Sequence, residues 1–186
     1  HHDARRQRQM CIRDRHGPLF FADTTINTNP TAEELADITY LTANAVSQFN
    51  IMPRIAMLSY SNFGSVENEE TMKIREAVEI LREKHPHLIV DGEMQANLAF
   101  DKELLEENYP FTKLANKGVN TLIFPNLAAG NIAYKLVQTL GTADAIGPVL
   151  LGMKKSVHIL QLGSSVREIV NMVAIAAADA QRKNKQ

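Results

Sequence analysis

A single cysteine, Cys11, excludes an internal disulfide and agrees with a reducing compartment. No apolar run approaches the roughly 20 residues that a membrane span requires, and the N-terminus has no apolar signal core. No membrane partner is expected, and a cytoplasmic location is. The net charge of -1 gives no general attraction to nucleic acid or to an anionic lipid surface, so no nucleic-acid partner is expected either. Gly-x-Gly-x-x-Gly, the Walker loop, His-Glu-x-x-His and Cys-x-x-Cys are all missing. A nicotinamide site, a nucleotide triphosphatase and a zinc site therefore have no motif behind them. His85 and His87 flank Pro86 without ligand spacing and read as a surface turn.

What is present is the composition of a soluble globular α/β protein: 186 residues, 45% hydrophobic and 22% charged, enough for one good core or two small ones. Residues 1–15 stand apart, with five arginines, the cysteine and almost no apolar periodicity. They read as non-native or disordered, the functional alternative being a basic arm. The remaining body, residues 16–186, is mildly acidic. The seven methionines are scattered, which fits core filling better than a soft binding groove.

Apolar runs over 19–23, 54–60, 88–91 and 121–124 read as strands. Those starting near 54, 88 and 121 are spaced by 34 and 33 residues with helical text between, the spacing of βαβ units in a parallel sheet. Thr31 and Glu34 have capping-box spacing and open a helix carrying Leu35, Ile38, Ala45, Val46 and Phe49 near one face. A second helix over 68–84 buries Ile74, Ala77, Val78 and Leu81 and ends before Pro86. Residues 96–116 are weakly helical. The stretch 119–165 organises the chain: a strand, a Gly/Asn turn from Asn126 to Asn131, an amphipathic helix, two further apolar strands, and a Gly/Ser turn opening the last helix. That helix, capped by Ser165 and Glu168, is expected to bury Val166, Ile169, Val170, Val173 and Ala177, with 181–186 fraying.

Both strand-to-helix turns lie where open α/β sheets bind ligands. The loop Ser61-Asn62-Phe63-Gly64-Ser65 has the short polar side chains and glycine to wrap a phosphate or pantetheine group. The residues alone favour an ordinary strand-to-helix turn, since Glu67, Glu69 and Glu70 just downstream already complement the helix dipole and repel phosphate. Asp91-Gly92-Glu93 reads as a polar turn at a strand end, with acid/base or metal chemistry as the alternative.

The segments FADTTINTNPTAEELADI, RIAMLSYS, LIVDGEMQ, NLAAGNIAYKLVQTLGTADAIGPVLLGM and LGSSVREIVNM together resemble the second half of the phosphate acetyl/butyryltransferase family. HILQLGSSVREIVNM is similar, more narrowly, to the C-terminal domain of large bacterial NADP-dependent malic enzymes. The resemblance implies a three-layer, parallel or mostly parallel sheet with flanking helices, in the isocitrate/isopropylmalate dehydrogenase-like architecture. It further implies two α/β subdomains with a CoA site between them, of which residues 16–186 supply the second and the returning C-terminal helix. The first subdomain and the malate-oxidising domains would lie outside these residues, as would the parent's NADP and its Mg2+ or Mn2+. A homo-oligomer is expected.

Carried over position by position, the resemblance places acyl-CoA contacts at Ser61, Asn62, Gly64, Ser65, Asn126, Gly163, Ser164 and Ser165. Active transferases of the family have Ser-Arg-Gly-x-Ser before the last helix; here Gln161, Leu162 and Gly163 precede Ser164 and Ser165. Leucine offers neither the charge nor the forked donors of arginine. Glu168 is the nearest counterpart of the family's catalytic carboxylate, and Gln161, Leu162 and Glu168 thus read as degenerate catalytic positions, with no catalytic residue remaining. The resemblance implies a regulatory and oligomerisation domain answering to acetyl-CoA, with an active phosphate acetyltransferase and a purely structural assembly module as alternatives.

Overall fold

The computed structural model describes residues 17–141, 146–160 and 162–183. The segment 1–15, Gln161 and the last three residues of the tail lie outside the described residues. The chain divides into two compact units, residues 1–135 and 136–186.

The first unit contains β1 (Phe20–Ala22), α1 (Ala32–Ser47), β2 (Arg54–Leu58), α2 (Glu69–Lys84), β3 (Ile89–Met94), α3 (Ala96–Phe100), α4 (Lys102–Asn108) and β4 (Thr121–Ile123). It ends within α5 (Leu127–Leu140). All strand pairs are parallel, in the order β1-β4-β2-β3. The expected βαβ spacing is thus a parallel sheet, with β4 inserted between β1 and β2.

Alternation along the central strands sorts the core into two layers. Ile55 and Met57 of β2, Val90 of β3 and Ile123 of β4 pack with Leu35, Ala36 and Ala43 of α1 and Ile74, Ala77, Val78 and Leu81 of α2. Ala56 and Leu58, Met94, Leu122 and Phe124 face the other way, against Leu98, Ala99, Leu105 and Leu114, with Ala129 and Ala133 of α5 beside them. Helices on both faces make β2 a strand buried on both sides.

The predicted start of α1 is built as read, and the structure adds a cap at α2 that was not read from the sequence. Thr31 Oγ1 accepts from Glu34 N at 3.2 Å while Glu34 Oε2 accepts from Thr31 N at 2.8 Å. Asn68 and Thr71 form the same reciprocal pair at the start of α2. On α1 the buried face is shifted from the expected one: Ala36, Thr39, Thr42 and Ala43 lie inside, Ile38 and Ala45 are half-buried, and Phe49 lies beyond the helix, half-exposed. Small residues take the inner positions because α1 packs against α2, and the threonines satisfy their hydroxyls on carbonyls four residues back, Thr39 on Leu35 and Thr42 on Ile38.

Several other expectations are corrected. Asp91, Gly92 and Glu93 are not a turn at the end of a strand but lie inside β3, which runs on to Met94. Both carboxylates are buried because each has its own partners. Asp91 accepts from Arg82 Nη2 at 2.8 Å, Thr112 Oγ1 at 2.8 Å and Lys113 N at 3.1 Å. Met57, Met94 and Met172 fill core positions as expected, but Met52, Met72 and Met153 are exposed. The turn read from Asn126 to Asn131 is shorter, since Asn126 accepts from Ala129 N at 2.9 Å and the helix begins at once. His85 stacks on Tyr40 with ring centroids 3.9 Å apart, and His87 is exposed.

The second unit contains α6 (Val166–Lys183). Residues 146–160, expected to hold two strands, form none: among the described residues of this unit there is no neighbouring strand to complete a ladder. The expected buried face of α6 is also overturned. Val166, Ile169, Val170, Val173 and Ala177 are exposed and Met172 alone is fully buried among its described residues. The helix reaches Lys183, so residues 181–183 belong to α6.

Candidate functional site

The loop after β2 closes around a carboxylate of its own chain. Ser61 Oγ donates to Glu93 Oε1 at 2.8 Å, and Gly64 N donates to the same oxygen at 2.7 Å. Phe63 N donates to the Glu93 carbonyl at 2.8 Å. The loop is tied to itself as well: Ser65 Oγ accepts from Asn62 N at 2.9 Å, and Ser61 Oγ accepts from Val66 N at 3.0 Å. Asn62 Oδ1 accepts from Gln95 N at 2.8 Å, fastening the loop to the end of β3. The left-handed φ of +92° at Gly64 turns its N–H inward and favours glycine. Arg75 Nε stands 3.5 Å from Glu93 Oε2 and its Nη1 reaches Glu67.

The anion-wrapping geometry read from the sequence therefore exists, and Glu93 fills it. Ser61 is fully buried, so its hydroxyl faces Glu93 and not an open site. Asn62 and Ser65 are engaged in the loop's own hydrogen bonds.

Asn126 belongs to a different place. β2 is followed by α2 on one face of the sheet, whereas its neighbour β4 is followed by α5, whose Ala129 and Ala133 pack on the other. Between such strands the connections diverge, and a crevice opens at their carboxyl ends. A cavity of about 1010 Å³ lies there, reached by Thr25, Thr28 and Asn29 from the segment after β1 and by Tyr60 after β2. Asn68, Glu69, Glu70 and Lys73 of the α2 start form one wall, and Asn126, Leu127, Ala128, Asn131 and Ile132 supply another. Lys73 Nζ donates to Asn29 Oδ1 at 2.9 Å and to the Pro125 carbonyl at 3.3 Å; Asn126 Nδ2 donates to Glu70 Oε1 at 3.2 Å. The Asn68 amide also hydrogen-bonds Tyr60 Oη.

Asp23 shapes the segment that enters this crevice. Its carboxylate accepts from the N–H groups of Thr25, Ile26 and Asn27 and from the Asn27 side chain. Burial pushes its pKa up, but these donors together outweigh burial and hold it below the usual carboxylate value. Lys73, Tyr60, Asn68 and the two threonines were not singled out from the sequence. Their one signal was position, immediately beyond strands that diverge at the switch point.

Gly163, Ser164 and Ser165 belong to the second unit, where they form the turn before α6. Ser165 N donates to Glu168 Oε2 at 2.6 Å and Glu168 N donates to Ser165 Oγ at 3.2 Å. The N–H of Ser165, helped by its side chain, lowers the Glu168 pKa. Glu168 is thus committed to a capping box. Leu162 is fully exposed, while Gln161 lies outside the described residues.

Among the described residues no three His, Cys, Asp or Glu side chains are grouped to hold a metal ion, and no helix is long and apolar enough to cross a membrane.

A family model described as phosphate acetyl/butaryl transferase matches residues 8–177. The chain is 46% identical over 167 residues to an NADP-dependent malic enzyme of Haemophilus influenzae, covering 90% of this chain and 22% of that protein. It is 43% identical over 173 residues to a phosphate acetyltransferase of Clostridium acetobutylicum, covering 92% of this chain and 52% of that one. Among solved structures, a phosphotransacetylase from Streptococcus pyogenes superposes with a TM-score of 0.82 at 45% identity, over 87% of this chain and 49% of that one. The chain spans about a fifth of the malic enzyme and about half of the transferase. A match of this extent, on a parallel sheet with helices on both faces, makes the chain a member of the phosphate acetyl/butaryl transferase family.

Proposed function

We propose that this chain is the acyl-CoA-responsive regulatory and oligomerisation part of a longer NADP-dependent malic enzyme, and that it does not itself transfer acyl groups. One observation carries the reading. Leu162, fully exposed in the turn before α6, stands where active members of the family are expected to hold an arginine. Acyl transfer to phosphate requires an attacking oxygen held against a thioester carbonyl and positive charge where the oxyanion develops, and losing one such group raises the barrier by about 3–4 kcal/mol. Binding a CoA thioester has no such requirement. The Glu168 carboxylate, engaged by the Ser165 N–H, supports the same conclusion.

In this reading acetyl-CoA binds one arrangement of the transferase-like domain better than another and thereby biases the assembly, lowering the rate of oxidative decarboxylation of malate to pyruvate and CO2 elsewhere on the parent chain. NADP and Mg2+ or Mn2+ act in the malate-oxidising domains that precede these residues, and the enzyme works in the cytoplasm as a homo-oligomer. The test is malate-dependent NADP reduction by the full-length enzyme at increasing acetyl-CoA. Inhibition without acetyl phosphate formation is expected. A rate indifferent to acetyl-CoA favours the assembly module, and acetyl phosphate production restores the active transferase.

A further inference from the structure

The loop after β2 is fastened to the end of β3 almost residue by residue. Ser59 N donates to the Met94 carbonyl at 2.9 Å, Gln95 Nε2 donates to the Tyr60 carbonyl at 2.7 Å, and Ser61, Phe63 and Gly64 all donate to Glu93. Phe63 takes a left-handed φ of +46°, a conformation that costs a non-glycine residue energy and persists only where its surroundings impose it. Those surroundings are incomplete at one point. Glu93 Oε1 holds two donors, but Oε2, also buried, accepts no hydrogen bond among the described residues. Arg75 Nε faces it at 3.5 Å, and Arg75 Nε and Nη2 are themselves buried and donate to no described residue.

The other side of the guanidinium is engaged elsewhere. Its Nη1 extends to Glu67 Oε1 at 3.4 Å, a carboxylate whose side chain is 75% exposed just ahead of α2. One cation is thus shared between a buried carboxylate and an exposed one, and it meets neither at the roughly 2.7–2.9 Å of a full charge-assisted bond. The exposed pair is screened by solvent and salt, whereas the buried one is not. We infer that Arg75 is a two-position tether, drawn outward by Glu67 and inward by Glu93, so that charge at the surface sets how tightly the loop after β2 closes on β3. Gly64 is where the tether meets the loop: its N–H donates to Glu93, and a Cβ on it falls 3.5 Å from Arg75 Nη1. Tyr60 belongs to the same loop and lines the crevice, so tighter closure also fixes that wall.

The experiment is hydrogen exchange of the full-length protein, read by mass spectrometry over the peptide that holds the Phe63 and Gly64 amides, both donors to Glu93. Peptides of α1 serve as the reference. Glu67→Gln removes the outward pull from an exposed position, and exchange of the loop is expected to slow by about threefold or more. Loss of an acidic residue ahead of a helix start by itself weakens that helix, so this slowing has the opposite sign to the ordinary effect. Raising the salt to about 1 M, where the screening length falls to about 3 Å, is expected to slow the loop relative to α1 in the unaltered chain but not in Glu67→Gln. In Arg75→Met the loop exchanges faster, and adding Glu67→Gln to that variant changes nothing further. Unchanged or faster exchange in Glu67→Gln, a salt response shared equally by both chains, or a slowing that persists without Arg75 overturns the tether and leaves the loop held by Glu93 alone.

Discussion

Ser61 Oγ donates to Glu93 Oε1 at 2.8 Å with both side chains fully buried, and this contact converts a loop that reads as a ligand cradle into part of the fold. Removing the hydroxyl leaves the carboxylate with one donor fewer in a site closed to water. Ser61→Ala is expected to lower stability by roughly 1–2 kcal/mol, and Glu93→Ala, which strands Ser61, Gly64 and Arg75 together, by roughly 2–3 kcal/mol. Urea midpoints measure both. Acetyl-CoA affinity in Ser61→Ala should stay within about twofold of the unaltered chain; a much larger loss would return Ser61 to the ligand site.

Gly130 lies where α5 passes the end of β1. A Cβ at this position falls 2.2 Å from the Asp23 carbonyl oxygen, a backbone atom that cannot swing aside. Gly130→Ala is therefore expected to destabilise by about 3 kcal/mol or to shift the start of α5, in contrast to the gain that Ala normally brings to a helix interior. Thermal melts and far-UV circular dichroism distinguish the two; a stabilised variant would contradict the packing described.

Asp23 sets a pH dependence whose sign follows from its lowered pKa. The folded state favours the ionised form, so the contribution is complete above the usual carboxylate value of about 4 and is lost as pH falls through the lower folded value. Asp23→Asn should be less stable than the unaltered chain at neutral pH, with the difference shrinking as denaturation is measured at progressively lower pH below about 4. A difference that stays constant across that range would show that the carboxylate's charge is not what orders the segment from Thr25 to Asn27.

Leu162 predicts an asymmetry between stability and chemistry. Because its side chain is fully exposed, Leu162→Arg should leave the unfolding midpoint unchanged within about 0.5 kcal/mol. The added cation is expected to strengthen acetyl-CoA binding, which titration of the full-length enzyme measures. Unchanged or weaker binding would place this turn away from the ligand's charge.

The sheet and its helices were legible because their signals are local. Thr31 with Glu34, and the Ile74, Ala77, Val78 and Leu81 face of α2, carry their own periodicity and caps. The errors arose where a residue's surroundings come from far along the chain. Asp91 and Glu93 look like a polar turn until Arg82, Thr112 and the loop after β2 supply their partners. Val166, Ile169, Val170 and Val173 show a helical apolar stripe, but periodicity states which residues share a face and not whether anything covers it. Residues 146–160 are apolar enough for strands yet form none, since a strand needs a neighbour as well as a composition. The crevice was invisible for the same reason: Thr25, Lys73 and Asn131 meet only once β4 takes its place between β1 and β2.

The most direct test of the central claim is calorimetric titration of the full-length protein with acetyl-CoA, followed on the same sample by an assay for acetyl phosphate in the presence of phosphate. Saturable binding with no acetyl phosphate is the predicted result. Turnover would contradict the meaning given to Leu162, and absence of binding would contradict the acyl-CoA reading itself.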